Sequence, residues 1–297
     1  MEVRLIKYFL TVAEELNITK AAQKLHMAQP PLSRQMQMLE EELGTTLFIR
    51  GKRKLSLTEE GMVLKQRGEQ ILNLIEKTEE EIREMQKGVS GTLYISSVEG
   101  RGPFLAAEWI SKFKDLYPDV SYNLWNGNSD DVADRVYKGL SDIAILMEPY
   151  NAESLNGIQV CQEPWIAMMP ENHPLALKEE KTISVKELVG EELIIPSRKS
   201  RISEIKNWFV DTGEEPKIRC ELAHVMNAYE LTEQGVGIAI FPASSADNDT
   251  SKRVIIKEIV EPPVKASYVL VWNKDRTLSN IARKFVEFVE EWKRGNE

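Results

Sequence analysis

Three groups of residues in this chain have types and spacings suited to chemistry, and each suits recognition rather than bond making. In the first, Gln29, Pro30, Ser33, Arg34 and Gln37 fall on or beside one face of a predicted helix that opens with Gln29-Pro30-Pro31. Short or planar hydrogen-bonding side chains near a helix start match the donor and acceptor pattern of base edges in a major groove. Thr19 is expected to cap the preceding helix and is grouped with these DNA-facing residues. In the second group, four of the five residues from Arg50 to Lys54 are cationic. Arg50, Lys52 and Arg53 there suit phosphate contact or insertion into a minor groove.

The third group lies on loops that follow predicted strands: Val98, Gly100 and Arg101; Asn128 and Ser129; Ser197, Arg198 and Arg201; His224 and Val225. Ligands of open α/β sheets bind where strand ends meet helix N-termini, and cations with small polar groups there suit a small anionic metabolite. Catalysis finds no support, because no nucleophile and base, metal cluster or cofactor loop stands at credible spacing. His26, His173 and His224 have no ligand spacing, so no metal is expected. Gly100-Arg-Gly102 begins like a dinucleotide fingerprint, but Leu105 stands where the third glycine belongs, so no cofactor is expected either.

The elements that must position these groups are legible from periodicity. Leu5, Ile6, Phe9, Leu10 and Ala13 give a first amphipathic helix, and Ala21, Ala22 and Leu25 face inward from a second. In the third, Leu32, Met36, Leu39 and Leu43 form the buried stripe opposite Arg34 and Gln37. Residues 47–50 and 54–57 read as two short strands whose connecting tip is basic. Thr58 is expected to cap a long helix to about residue 87. Its Leu64, Gly68, Ile71, Ile75, Thr78, Ile82, Met85 and Val89 alternate in steps of four and three, the spacing of a dimerising coiled-coil seam. Beyond it, strands at 93–97, 120–124 and 142–146 alternate with helices at 103–116 and 130–138. A second set follows: strands at 192–195, 217–222 and 238–241, with helices at 203–210 and 225–234. Strands at 158–169, 254–260 and 266–272 and a helix at 278–292 complete two α/β lobes that the chain enters, leaves and re-enters.

Composition agrees with this division. The 297 residues are 42% hydrophobic, enough for several cores, and carry a net charge of −9. Through residue 60, nine Lys and Arg face eight acids, so the remainder carries −10. The acidity belongs to the body and not to the N-terminal module. No run approaches the roughly 18 apolar residues of a membrane span, and no signal segment is apparent, so a soluble cytoplasmic protein is expected.

Here the motifs become specific. Phe9-Leu-Thr-Val-Ala-Glu14, Ala21-Ala-Gln-Lys-Leu25, Gln29-Pro-Pro-Leu-Ser-Arg-Gln35, Leu39-Glu-Glu-Glu-Leu-Gly44, Leu47-Phe-Ile-Arg50 and Leu57-Thr-Glu-Glu-Gly61 together resemble the winged helix-turn-helix of the LysR-type transcriptional regulators. Looser motifs, such as Gly127-Asn-Ser-Asp130 and Gly235-Val-Gly-Ile-Ala-Ile-Phe-Pro242, resemble the co-inducer domain of that family and, more distantly, periplasmic binding proteins. The resemblance implies an N-terminal all-α winged helix-turn-helix (1–58), a dimerising helix (59–89) and a two-lobed α/β effector domain (90–297). Lobe I would comprise 90–161 and 266–297, and lobe II 162–265. It implies a homotetramer, a dimer of dimers, that bends double-stranded promoter DNA under the control of a small-molecule effector. The alternative within the same fold is a regulator that needs no effector or that responds to oxidation. Peroxide-sensing members carry two cysteines in the segment corresponding to residues 196–212, whereas the two cysteines of this chain are Cys161 and Cys220.

Overall fold

The computed structural model describes residues 1–50, 55–84, 89–246 and 253–296. The chain divides into two compact units, Met1–Gln86 and Lys87–Glu297.

The first unit opens with three helices, α1 (Val3–Glu15), α2 (Ile18–Lys24) and α3 (Gln29–Leu43). Their apolar faces meet in one core that includes Phe9, Val12, Ala21, Leu32, Met36 and Leu39. Thr19 does not cap α2. Asn17 does, its side chain accepting from the Lys20 amide at 3.0 Å, and Thr19 sits exposed within the first turn. Asparagine is as good a cap as serine and better than threonine, so the helix starts two positions earlier than expected. His26 occupies the turn into α3 at φ 54. The predicted stripe on α3 is buried at Leu32, Met36 and Leu39, but Leu43 is 40% exposed. One turn beyond Leu39 the helix has left the core, and Gly44 ends it in the left-handed conformation.

The wing pairs β1 (Phe48–Arg50) with β2 (Leu55–Leu57), Phe48 opposite Leu57 and Arg50 opposite Leu55. Glu40, one of three consecutive acids at the end of α3, accepts the amides of Leu47 at 2.7 Å and Phe48 at 3.2 Å and so ties the wing to the helix. Phe48 packs on Phe9 with ring centroids 5.2 Å apart. Thr58 caps α4 (Glu59–Glu84), accepting from the Gly61 amide at 2.9 Å.

The α4 seam divides. Leu64 belongs to the core of this unit, and Gly68 lies against α1, where an added Cβ would stand 2.9 Å from the Ile6 Cγ2. Gly68 is therefore a contact point that lets two helices approach, not a weak seam position. Further along, Ile71 and Ile75 are half-buried, and Ile82 is 60% exposed. Met85 lies outside the described residues.

The second unit holds two α/β lobes. In lobe I, β3 (Gly91–Val98) pairs parallel with β4 (Val120–Gly127) and β5 (Ile143–Met147). Helices α5 (Arg101–Leu116), α6 (Ser129–Lys138) and α9 (Asn280–Asn296) pack against that sheet. In lobe II, β8 (Glu192–Pro196) pairs parallel with β9 (Lys217–Leu222) and β10 (Ile238–Pro242). The lobe II helices are α7 (Lys199–Trp208) and α8 (Met226–Glu233). Between β5 and β8, β6 (Leu155–Pro170) is one long strand that serves both lobes, and β7 (Thr182–Ser184) follows it. Residues 155–164 of β6 pair antiparallel with β12 (Lys265–Asn273), and residues 165–170 pair with β10 and β11 (Val254–Glu261). The partners change hands between Pro164 and Trp165. Each lobe is anchored on buried tryptophan: Trp109 of α5 meets Trp292 of α9 at 5.5 Å, and Trp165 meets Trp208 of α7 at 5.2 Å.

Candidate functional site: a helix face and an interlobe cavity

In the first unit, Gln29, Pro30, Arg34 and Gln37 are exposed on α3 and Ser33 is partly exposed beside them. Burial of Leu32, Met36 and Leu39 fixes this outward face, because the stripe can point only one way. No side chain caps α3, and Pro30 and Pro31 in its first turn carry no N–H. The helix start is therefore poor in backbone donors, and what it presents outward is side chains. Arg50 lies on β1, while Lys52 and Arg53 lie outside the described residues.

In the second unit, a cavity of about 660 Å³ opens between the lobes, the size of a small-metabolite site. Seven of the ten residues expected to meet an effector line it: Val98, Asn128 and Ser129 from lobe I, and Ser197, Arg198, Arg201 and Val225 from lobe II. Three do not. Gly100 faces Ser244 and Tyr268, and Arg101 turns toward Cys161. His224 stands at the rim, more than half exposed, with its Nδ1 2.8 Å from Glu99 Oε1.

Arg201 dominates the lobe II wall. Its side chain is only 3% exposed, stacks over the Trp165 ring at 5.6 Å, and donates to Glu204 through Nη1. Its Nε and Nη2 are buried without a hydrogen-bond partner among the described residues, as are Arg198 Nη1 and Ser200 Oγ. Burial pushes the Arg201 guanidinium below its ordinary value, and the nearby Glu204 carboxylate opposes that shift. Unpaired buried donors are costly and rare, and these four belong to residues that line one cavity.

Residues on the lobe I side were harder to foresee. Glu99 reaches across to lobe II, where its second oxygen accepts the Val225 amide at 3.1 Å. Asp130 accepts from Arg198 Nε at 3.1 Å. Behind the cavity, Glu163 accepts from the Ser244 amide and hydroxyl and from the Tyr268 hydroxyl at 2.7 Å. Burial, reinforced by the Glu163 carboxylate, holds the Tyr268 hydroxyl protonated far above the usual tyrosine range. The polar stretch after Pro242, which reads from sequence only as a loop, thus contributes Ser244 to an ordered network. Only the cations and small polar groups around the cavity carried a sequence signal, because carboxylates paired more than sixty residues away leave no local pattern.

Cys161 and Cys220 do not face each other. They lie on β6 and β9, with β10 and β8 between, so three strand spacings alone put them at least roughly 14 Å apart, and the register, which sets Cys220 level with Met168, adds the length of β6 from there to Cys161. Burial also raises the Cys161 thiol above its ordinary value, which lowers its thiolate fraction. Among the described residues no helix is long and apolar enough to cross a membrane.

Comparison with known proteins accords with both units. The family model described as bacterial regulatory helix-turn-helix protein, lysR family, matches residues 3–62, and the LysR substrate binding domain matches residues 86–294. The chain is 29% identical to the HTH-type transcriptional regulator BsdA of Bacillus subtilis, over 97% of this chain and 99% of that protein. It is 31% identical to the uncharacterized HTH-type transcriptional regulator YnfL of Escherichia coli, over 96% of each. The crystal structure of full-length CbnR complexed with its target DNA superposes with a TM-score of 0.78 at 26% identity, covering 98% of this chain and 99% of that one. With a helix-turn-helix head, a two-lobed α/β body and both family models matched along its length, the chain belongs to the LysR family of DNA-binding transcriptional regulators and is not an enzyme.

Proposed function

We propose that this LysR-family regulator binds double-stranded promoter DNA as a homo-oligomer, a dimer of dimers, and that a small anionic metabolite held between the lobes of its body controls that binding. The observation that carries the ligand reading is the Arg201 guanidinium, buried beside the cavity with two donor atoms unpaired. A ligand with different affinity for two lobe arrangements shifts the population between them, and an acceptor that satisfies Arg201 in one arrangement supplies that difference. Footprinting beside the adjacent gene cluster, with and without candidate metabolites, tests the whole reading. A footprint indifferent to every metabolite that stabilises the protein would sink it.

On the DNA side, Gln29, Pro30, Ser33, Arg34 and Gln37, with Thr19 nearby, meet base edges or adjacent phosphates. Arg50, Lys52 and Arg53 hold the wing to the backbone. The exposed outer part of α4, including Ile82, joins two chains, so that paired heads read two half-sites. The protein then works in the cytoplasm and needs no membrane, metal or cofactor.

Base and phosphate roles separate experimentally. Arg53→Gln is expected to weaken binding to all sequences alike and to lower the salt slope by about 0.9 per lost phosphate contact. Gln29→Ala and Ser33→Ala are instead expected to change the preferred base at one or two positions, by about 1–3 kcal/mol each. Fluorescence anisotropy on single-base-substituted operators at several salt concentrations distinguishes them, and a uniform loss for Ser33→Ala would remove it from the base-reading set.

Separation of the cysteines favours metabolite control over oxidation. A disulfide requires Cα atoms within about 7 Å, half the spacing that the strand order allows. The double variant Cys161→Ser, Cys220→Ser is therefore expected to bind DNA as the native protein does, with and without hydrogen peroxide. A peroxide effect on the native protein that the double variant lacks would reinstate the redox reading.

A further inference from the structure

The cavity between the lobes has two chemically opposite walls. Among the described residues, its charged side chains on lobe I are Glu99, Asp130 and Asp131, and those on lobe II are Arg198, Lys199 and Arg201. Three helices also present their N-termini there, and each N-terminus carries partial positive charge that attracts an anion. Two are already served by the protein. Asn128 caps α6 by accepting the amides of Asp130 and Asp131 at 3.0 Å, with both carboxylates in the first turn. The α8 start is filled from across the cleft by Glu99, one oxygen on the Val225 amide and the other on His224.

The third, α7, is left open, although two of the cations at its start are already paired, Arg198 with Asp130 and Arg201 with Glu204. No side chain caps it, no acid lies in its first turn, and Arg198, Lys199 and Arg201 crowd cations at its positive end. Such a start is stabilised by an anion, and the buried atoms left without a partner, Arg198 Nη1, Ser200 Oγ and Arg201 Nε and Nη2, all belong to residues at that start that line the cavity.

We infer that Glu99 is a specificity-determining residue: it occupies the second anion seat, at the start of α8, so that the effector is a zwitterion of the amino-acid class. The effector's single carboxylate sits at the start of α7, and its ammonium group faces the Glu99, Asp130 and Asp131 wall. A dicarboxylate is disfavoured twice, because its second group meets that acidic wall and finds the α8 start already filled. A carboxylate without the amine satisfies α7 but leaves the acidic wall with only the partners the protein gives it, Arg198 for Asp130 and His224 with the Val225 amide for Glu99. This inference rests on the reading that an anionic ligand binds between the lobes, and it narrows that ligand's charge.

The test measures thermal shifts and calorimetric affinities of the full-length protein against three matched series. These are the proteinogenic amino acids, the corresponding carboxylates lacking the α-amine, and straight-chain dicarboxylates from malonate to pimelate. Native protein is expected to be stabilised by one amino acid or a few related ones, to bind the deaminated partner at least about tenfold more weakly, and to ignore the dicarboxylates. Glu99→Gln keeps the shape of the plug and removes its charge, and is expected to bring amine and deaminated partner within about threefold of each other. Glu99→Ser opens the α8 start and is expected to let a dicarboxylate bind. If a dicarboxylate or a deaminated acid stabilises the native protein as well as any amino acid, the role of Glu99 is overturned while the anionic site stands. If no member of any series stabilises the native protein, both the zwitterion inference and the anionic-ligand reading fall.

Discussion

Gly61→Ala is expected to destabilise the N-terminal unit by about 2–3 kcal/mol and to lower DNA binding without altering any residue that faces the groove. Helix propensity alone argues the other way, since alanine within a helix is favoured over glycine by about 1 kcal/mol. Packing decides the sign. A Cβ at Gly61 would stand 2.3 Å from the Leu47 carbonyl oxygen and 3.0 Å from Leu57 Cδ2, and a backbone oxygen held in the wing has nowhere to move. Gly68→Ala is the built-in control. There the nearest atom is a side-chain methyl, Ile6 Cγ2 at 2.9 Å, and not a backbone oxygen; Ile6 is buried and β-branched, so it yields only with a small shift of α1, and a loss smaller than that at Gly61 is expected. Thermal unfolding followed alongside operator binding reports both, and a Gly61→Ala protein that melts and binds like the native one would show that the wing is not braced on the start of α4.

Arg201→Met is expected to separate stability from response. Methionine keeps contact with Trp165 and removes a buried cation whose Nε and Nη2 lack partners. Replacing a whole buried ion pair by apolar side chains is often neutral or stabilising, by about 1–4 kcal/mol, and here the partner left behind, Glu204, is 31% exposed and so regains water while the unsatisfied Nε and Nη2 are removed. Without ligand, the variant therefore melts at or above the native temperature. With an effector at a hundredfold its dissociation constant, the native protein gains about 2.7 kcal/mol, a gain the variant is expected to lack almost entirely. Differential scanning calorimetry with and without effector measures both halves. An Arg201→Met protein that loses stability in the absence of ligand would mean that Arg201 is a structural brace and not a receptor. The sign of the ligand-free effect separates a site kept for binding from one kept for folding.

Periodicity made the architecture legible because most of the fold is local. The apolar stripe of α3 dictated which side Arg34 and Gln37 show, and the alternation of strands and helices dictated two lobes. Where reading failed, a neighbour distant in sequence had the deciding role. Leu43 continues the stripe in number but not in space, because the core ends at Leu39. The seam of α4 looked uniform, yet Leu64 and Gly68 are taken up by the α1 side of the same unit. Choice of cap between Asn17 and Thr19 turned on a shift of helix start too small for a pattern to resolve. In the cavity, attention to cations found Arg198 and Arg201 but passed over Glu99, which lies within the predicted loop 98–102. The pairing of Glu99 with Val225 joins residues 126 positions apart and leaves no local pattern.

The shared strand β6 bears on the order in which the protein is made. Lobe II is a contiguous insertion, bounded by the change of partners at Trp165 and by the end of β11 at Glu261. Lobe I is discontinuous: β3, β4 and β5 emerge first, but β12 and α9, which bring Phe285 and Trp292 against Trp109, emerge last. On a ribosome that releases the chain from its N-terminus, the inserted lobe is complete while its host still lacks a central strand. The cavity, whose lining includes Tyr268 of β12, is therefore complete only once that strand is added, so a nascent chain carries its DNA-reading head long before it can be told what to do with it.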